Sequence, residues 1–248
     1  MIKAVQTSCD QTIPEDLNEE NIKRIFTSIS DDYERFNHRS SFGQDRRWLE
    51  RLVELAPINS KSVVLDVAGG TGEVTFAICR KRHPAKILLS DYTPAMLDVA
   101  KRRLANGEGR NVDIETMVVD AQDMPLDDES FDVVTMAYGI RNMPNRMAAL
   151  REIYRVLKPG GTAVILEFSH PPRPLEAAFY RFYLKVGIPA WGKHIAGTRD
   201  DFVYLAKSIE AFPCADDFAA MLRDAGFTNV AYEYLSFGAV AIHSAHKS

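Results

Sequence analysis

The chain has 248 residues, 46% hydrophobic and 26% charged, with a formal net charge of −4. Its length holds one well-buried α/β domain with an elaborated edge and is too short for two full enzyme domains, and its composition excludes disordered and fibrous classes. The negative balance argues against a broad basic footprint, so no nucleic-acid partner is expected.

In chain order, Asn18 to Ile29 and Gln44 to Leu55 carry helical spacing of Ile, Phe, Leu and Val. Tyr33 to Gly43 between them reads as a polar-aromatic loop. From Ser62 short apolar runs alternate with helical patterns: SVVLDV, a helix from Glu73, KILLSD, a helix from Pro94, VDIETMVVD, FDVVTMAY, a helix from Asn145, and TAVILEF. This rhythm predicts a βαβ series of buried parallel strands, hence a doubly wound, Rossmann-like α/β sheet. Thr93 is placed to cap the helix that Pro94 begins, and Pro159-Gly160-Gly161 to stop a helix before the next strand. Beyond Pro171 an aromatic-rich helical region runs to about Trp191, followed by helices around Asp201 to Glu210 and Ala215 to Asp224. TNVAYEYLSF and GAVAIHSA predict a C-terminal antiparallel hairpin turning near Phe237-Gly238.

Cys9, Cys79 and Cys214 are far apart and odd in number, which provides neither a disulfide framework nor a CxxC pair and fits a reducing compartment. The acidic N-terminal stretch lacks the apolar core of a signal peptide, and no apolar run reaches the roughly 20 residues that span a bilayer. The expected location is the cytoplasm, with at most a peripheral membrane contact. His38, His83, His170, His194, His243 and His246 form no cluster at ligand spacing, so no metal is expected.

In open α/β sheets ligands bind beyond the carboxyl ends of the strands, where the strand order reverses. Val64 to Gly72, VLDVAGGTG, is a buried strand feeding a glycine-rich turn and then a helix, and glycine lets backbone approach a ligand with no Cβ in the way. A dinucleotide fold uses GxGxxG, which Ala68-Gly69-Gly70-Thr71-Gly72 does not match. Asp66 ends the strand just before the glycines, where it would repel a pyrophosphate and attract the ammonium of an amino acid ligand. Asp91 ends the second strand, where a carboxylate accepts hydrogen bonds from both ribose hydroxyls, and Asp120-Ala121 follows the third strand within reach of an adenine amino group. One such Asp is as often a helix cap. Three acidic strand ends in register point to S-adenosylmethionine.

The Val64 to Gly72 stretch resembles the first motif of the class I methyltransferases, VLDxGxGTG, with Ala68 in place of the first glycine. The resemblance implies that Gly70, Thr71 and Gly72 contact the amino acid part of S-adenosylmethionine, Asp91 holds the ribose, and Asp120 with Ala121 holds the adenine. Asp66, Tyr92 and Ala137 complete the expected cofactor-binding set. A narrower resemblance covers most of the chain, from about Tyr33 to His243, and points to the ubiquinone/menaquinone biosynthesis C-methyltransferases. Its carriers are Arg155 to Gly161 (RVLKPGG) running on to Leu166-Glu167-Phe168-Ser169, Tyr138 to Asn142 (YGIRN, like FGxRN), and Tyr204-Leu205, Ser208-Ile209 and Phe212-Pro213, like YLxxSIxxFP. The family's N-terminal signature is partly kept: Tyr33, Asn37, Ser41 and Trp48 stand at its spacing, while Glu34, Phe36, Ser40 and Asp45 replace the usual Asp, Met, aliphatic residue and His.

That resemblance implies methylation of a ring carbon of a prenylated quinol, with demethylmenaquinol the expected acceptor and a benzoquinol of the ubiquinone route the alternative. In C-methylation a phenolate-like oxygen pushes electron density onto the attacking carbon. Arg141, a permanent cation, is expected to stabilise that oxygen, Asn142 to orient the ring hydroxyl, and Tyr33 to close the site. His170 is a chemically natural base at the same sheet edge, although the resemblance does not require one there. Phe179 to Trp191 would line a tail channel, touch a membrane, or simply pack over the sheet edge. Residues 1–60 are expected to form a helical lid, 61–170 the cofactor-binding core, and 171–248 the substrate-side helices and hairpin, all in one domain. Competing readings are a methyltransferase for a soluble phenol, a non-catalytic scaffold subunit of a quinone-synthesis complex, and more distantly an NAD-dependent oxidoreductase. Pairing into a homodimer is left open.

Overall fold

Neighbouring residues of the central strands are buried on opposite faces of one seven-stranded sheet, which is why these strands read as unbroken apolar runs. The structure, a computed structural model, describes residues 24, 27, 37–39, 41–187 and 200–248, with no side-chain description for 200–203. Helix α1 spans Asp45–Leu55 and is followed by β1 (Val63–Asp66), α2 (Glu73–Lys81), β2 (Lys86–Asp91), α3 (Pro94–Ala105), β3 (Asp113–Val118) and β4 (Phe131–Ala137). A 3-10 turn at Ile140–Asn142 leads to α4 (Arg146–Val156) and β5 (Leu157–Phe168). Helix α5 (Pro174–Phe182) continues into one π turn at Tyr183–Gly187. Helices α6 (Asp200–Glu210) and α7 (Ala215–Asp224) precede β6 (Thr228–Leu235) and β7 (Val240–His246).

The order across the sheet is β3-β2-β1-β4-β5-β7-β6. The first five strands pair in parallel, and β7 and β6 add an antiparallel edge. Val64, Ile87, Val133 and Val164 point to one face, where α1 and α2 contribute Leu49, Leu52, Val53, Val74 and Ile78. Leu65, Leu88, Val134 and Ile165 point to the other, under Leu150 and Ile153 of α4 and Phe218 and Leu222 of α7. Each such buried Val, Leu, Ile or Phe contributes about 1.5–3 kcal/mol. The doubly wound sheet with its C-terminal hairpin is therefore the observed architecture.

Local differences from the sequence-based expectation have clear causes. Residues 37–39 are helical and 41–43 form a turn, so the segment before α1 is only partly loop. Thr93 precedes α3 but makes no side-chain cap bond. β5 begins at Leu157, ahead of the expected start, because Leu157 already pairs with Phe131 and the pairing resumes at Thr162. Lys158 to Gly161 bulge out between, with Gly160 at φ +79°. Asn145 does cap α4, its side chain accepting from the Ala148 amide at 3.0 Å, a contact typically worth about 1 kcal/mol. Apart from residues 24 and 27, which are helical, the expected helix at Asn18 to Ile29, Tyr33, and the end of the aromatic run at Trp191 lie outside the described residues.

Candidate active site

β1 and β4 are neighbours from which the chain leads outward in opposite directions, so their carboxyl ends open a crevice. A cleft with about 1200 Å3 of space, partly open to solvent, lies there. Its wall includes Ala68 to Thr71 beyond β1, Asp91 to Thr93 at the end of β2, Val119 to Gln122 beyond β3, and Ala137 to Gly139 with Asn142 beyond β4. Asn37, Asp45 and Leu49 close it from the N-terminal side.

The turn after β1 is shaped by backbone that only small residues accept. A Cβ on Gly69 would stand 2.3 Å from Leu89 Cδ1 and 2.8 Å from Asp66 Oδ2. At Gly70, φ +57°, a Cβ would lie 3.1 Å from Met96 Cε and 3.9 Å from Asp91 Oδ2, so the bare backbone keeps that part of the wall open. Ala68 itself holds φ +51°, as does Tyr138 φ +59° across the crevice. A Cβ on Gly139 would come within 2.7 Å of Ala68 Cβ, which explains the glycine between Tyr138 and Ile140.

Asp91 accepts from the Gly70 amide at 2.9 Å and the Thr93 amide at 2.7 Å. Burial pushes its carboxyl up to about 6 against the pull of those amides. Asp120 closes a turn onto Gln122, accepting from its amide at 2.9 Å, while Val119 and Ala121 supply apolar wall. Asp66 is different. It is fully buried behind the turn, Oδ2 accepting from the Thr75 amide at 3.1 Å and hydroxyl at 2.7 Å, Oδ1 from Thr135 at 2.9 Å. Burial raises it to about 6 as well. It braces β1, β4 and α2 and does not stand on the cleft wall, so the ammonium contact expected of it has no geometry here. Gly72 is also off the wall; it precedes α2 at φ +90°, where a Cβ would strike Phe76 Cε2 at 2.6 Å.

The other side of the crevice is built from distant segments. Arg141, 3% exposed, places Nη1 2.9 Å from Glu167 Oε1 and 2.6 Å from the Tyr138 carbonyl, and its guanidinium lies over the Phe168 ring. Phe168 also packs on Tyr138 with ring centroids 5.0 Å apart. Glu167 and Phe168 thus carry the partners of Tyr138 and Arg141. Arg146, also buried, donates to the Arg141 carbonyl at 3.2 Å. Two guanidinium groups beside one carboxylate leave this region net positive.

Asn142 lies on the wall, with Nδ2 3.3 Å from the Tyr138 carbonyl and Oδ1 accepting from the Tyr204 hydroxyl at 3.0 Å. A carbonyl only accepts, so it fixes which amide atom is the nitrogen and leaves Oδ1 to Tyr204. Burial pushes the Tyr204 hydroxyl up to about 12, so it stays a donor at neutral pH. Sequence reasoning placed Tyr204 only within a C-terminal pattern; the 62 residues separating it from Asn142 hid the contact. Arg141 stands behind Asn142, off the wall, and His170 turns Nε2 to the Phe212 carbonyl at 2.7 Å. Gly70, Thr71, Asp91, Tyr92, Asp120, Ala121, Ala137 and Asn142 are brought together on one wall.

With this geometry in place, a sequence model of the ubiE/COQ5 methyltransferase family matches residues 14–247. The chain belongs to the ubiE/COQ5 methyltransferase family. A ubiquinone/menaquinone biosynthesis C-methyltransferase UbiE from Dinoroseobacter shibae is 38% identical over 237 residues, covering 96% of this chain and 94% of that protein. A demethylmenaquinone methyltransferase from Thermus thermophilus is 39% identical over 219 residues, covering 88% and 98%. Among solved structures, a SAM-dependent methyltransferase from Thermotoga maritima superposes with a TM-score of 0.64 at 20% identity, over 91% of this chain and 99% of that one. That likeness concerns the fold. This member of the ubiE/COQ5 family is an S-adenosylmethionine-dependent methyltransferase. Its cleft fits such a cofactor: bare backbone at Gly70, a buried carboxylate at Asp91, and apolar wall beside Asp120. Among the described residues no helix is long and apolar enough to cross a membrane.

Proposed function

We propose that this methyltransferase methylates a ring carbon of a prenylated quinol, converting demethylmenaquinol to menaquinol. The observation that carries this reading is the Tyr138 to Asn142 segment, with Asn142 on the cleft wall and the buried Arg141–Glu167 pair behind it. The names of the relatives from Dinoroseobacter shibae and Thermus thermophilus support the acceptor class. Residues 1–60 serve as a lid in this reading, 61–170 as the cofactor-binding core and 171–248 as the acceptor side, in one cytoplasmic domain.

S-adenosylmethionine, when bound, supplies an electrophilic methyl group. Gly70 and Thr71 would receive its amino acid part, with Gly72 shaping the turn. Asp91 would accept from the ribose hydroxyls beside Tyr92, and Asp120 with Ala121 would hold the adenine, with Ala137 at the floor. Asn142 would donate to the acceptor's ring oxygen. The net positive charge of Arg141 and Arg146 against Glu167 favours negative charge on that oxygen, and Arg141 does so without accepting a proton. Tyr33 would close the site from the lid.

Leu175, Phe179, Phe182 and Val186, all more than half exposed, form one helical stripe beyond the cleft. It supports peripheral membrane contact suited to a lipid-soluble acceptor; a second copy is the competing occupant, and sedimentation with and without vesicles tells them apart. The acceptor test is incubation of the purified protein and methyl-labelled cofactor with membranes from quinone-deficient cells. Label is expected in menaquinol. Label in a benzoquinol favours the ubiquinone route, whose relatives share the same family name, and no label in any quinone overturns the reading. Faster turnover of tail-less phenols than of prenylated quinols would favour a soluble acceptor, and Arg141→Ala with unchanged turnover a scaffold role.

A further inference from the structure

We propose that Asp45 is a cofactor-binding residue whose carboxylate receives the α-ammonium of S-adenosylmethionine. Asp45 opens α1 and is 8% exposed, yet it lies on the cleft wall together with Leu49 one helical turn later. Leu49 packs in the same cluster as Val74, at the head of α2, directly after the glycine turn. Asp45 therefore faces the crevice from the glycine-turn end. Its Oδ1 is occupied, accepting from the Ser41 hydroxyl at 2.9 Å and lying 3.1 Å from His38 Nδ1, while Ser41 Oγ accepts from the Asp45 amide at 3.2 Å. Among the described residues every hydrogen bond to the Asp45 carboxylate falls on Oδ1, which leaves Oδ2 for a ligand at the cleft wall.

An ammonium in a mostly buried cleft needs an anionic partner. The other acids near the crevice are committed elsewhere. Asp66 is off the wall with both oxygens bonded to Thr75 and Thr135. Glu73 also lies on the wall, but the Arg103 guanidinium, 2.6 Å from Oε1, already balances its charge. Asp91 touches the glycine turn but already accepts from the Gly70 and Thr93 amides and is assigned to the ribose, and Asp120 stands two strands from β1 in the order β1-β2-β3, at roughly 5 Å per strand. At the acceptor's ring oxygen a carboxylate would oppose the developing negative charge, so the cofactor end is where Asp45 helps. Because the family signature carries His at this position, the contact sets this chain apart from relatives that keep the signature.

The inference rests on the amino acid part lying against Gly70 and Thr71. Its test is calorimetric titration with S-adenosylhomocysteine and with the analogue in which hydrogen replaces the α-amino group. Asp45→Asn is expected to weaken S-adenosylhomocysteine about tenfold to a hundredfold, as for loss of one charge-assisted hydrogen bond, and to leave the deaminated analogue within about twofold. Equal weakening of both ligands, or of neither, overturns the role of Asp45. Ser41→Ala, which strips one bond from Oδ1 and leaves the carboxylate present, is expected to show the same selectivity at about threefold and decides the matter where Asp45→Asn does not fold. Wild-type protein that binds both ligands equally would instead overturn the placement of the amino acid part.

Discussion

The two sides of the crevice are built differently. Beyond β1 and β2 the wall is mostly backbone of two short stretches on adjacent strands: Ala68 to Thr71 turn with small side chains, their amides held by Ser90 and Asp91, and Asp91 also satisfies an amide two residues away. Beyond β4 the side chains depend on distant partners besides their local bonds to the Tyr138 carbonyl, Arg141 on Glu167 across 26 residues and Asn142 on Tyr204 across 62. The contrast suits the chemistry. In the proposed function a common cofactor would be met by a largely backbone motif, and a particular acceptor by side chains that the whole fold must assemble.

If that contrast is sound, the largest loss comes from breaking the buried pair. Glu167→Ala strands the Arg141 guanidinium and is expected to cost about 3–5 kcal/mol in urea unfolding; a cost below about 1 kcal/mol would show that water reaches the pair. Next is Asp91→Ala, expected to weaken cofactor binding about a hundredfold through two lost charge-assisted bonds while leaving acceptor binding unchanged by the same calorimetry.

The pH dependence sharpens the same side. Burial raises Asp91 from an ordinary 3.8 to about 6, so its ionisation costs stability as pH rises from about 4 to about 6. The proposed ribose contact would use the ionised form. Cofactor affinity should therefore be level above about pH 7 and fall about tenfold per unit below 6, and a flat profile from pH 5 to 8 would remove Asp91 from that contact. On the acceptor side, Tyr204→Phe frees the Asn142 amide to rotate and is expected to lower kcat about tenfold with cofactor affinity unchanged. Smallest is Ala68→Gly, which relieves a left-handed alanine and should raise stability by about 0.5–1 kcal/mol in the same unfolding measurement.

The glycine turn and the acidic strand ends were legible because each depends on a few adjacent residues. Asp66 was misplaced for the same reason. Its position at the end of β1 was right, but a strand end faces either the crevice or the sheet interior, and Thr75 and Thr135 draw this carboxylate inward. Asp45 read as a departure from a signature, since nothing in its neighbours foretold that α1 would carry it to the cleft. His170 stood at the correct sheet edge, yet the Phe212 carbonyl claims its Nε2.

Local patterning alone dictated the alternating strands and helices, the turn at Ala68 to Gly72 and the capped start of α4, because hydrophobic period and backbone freedom act over a handful of residues. The tertiary structure decided which polar and charged groups face each other. Arg141 with Glu167, Tyr204 with Asn142 and Asp45 with the cleft are set by strand order and helix packing, since electrostatic contacts depend on distances that no local spacing encodes.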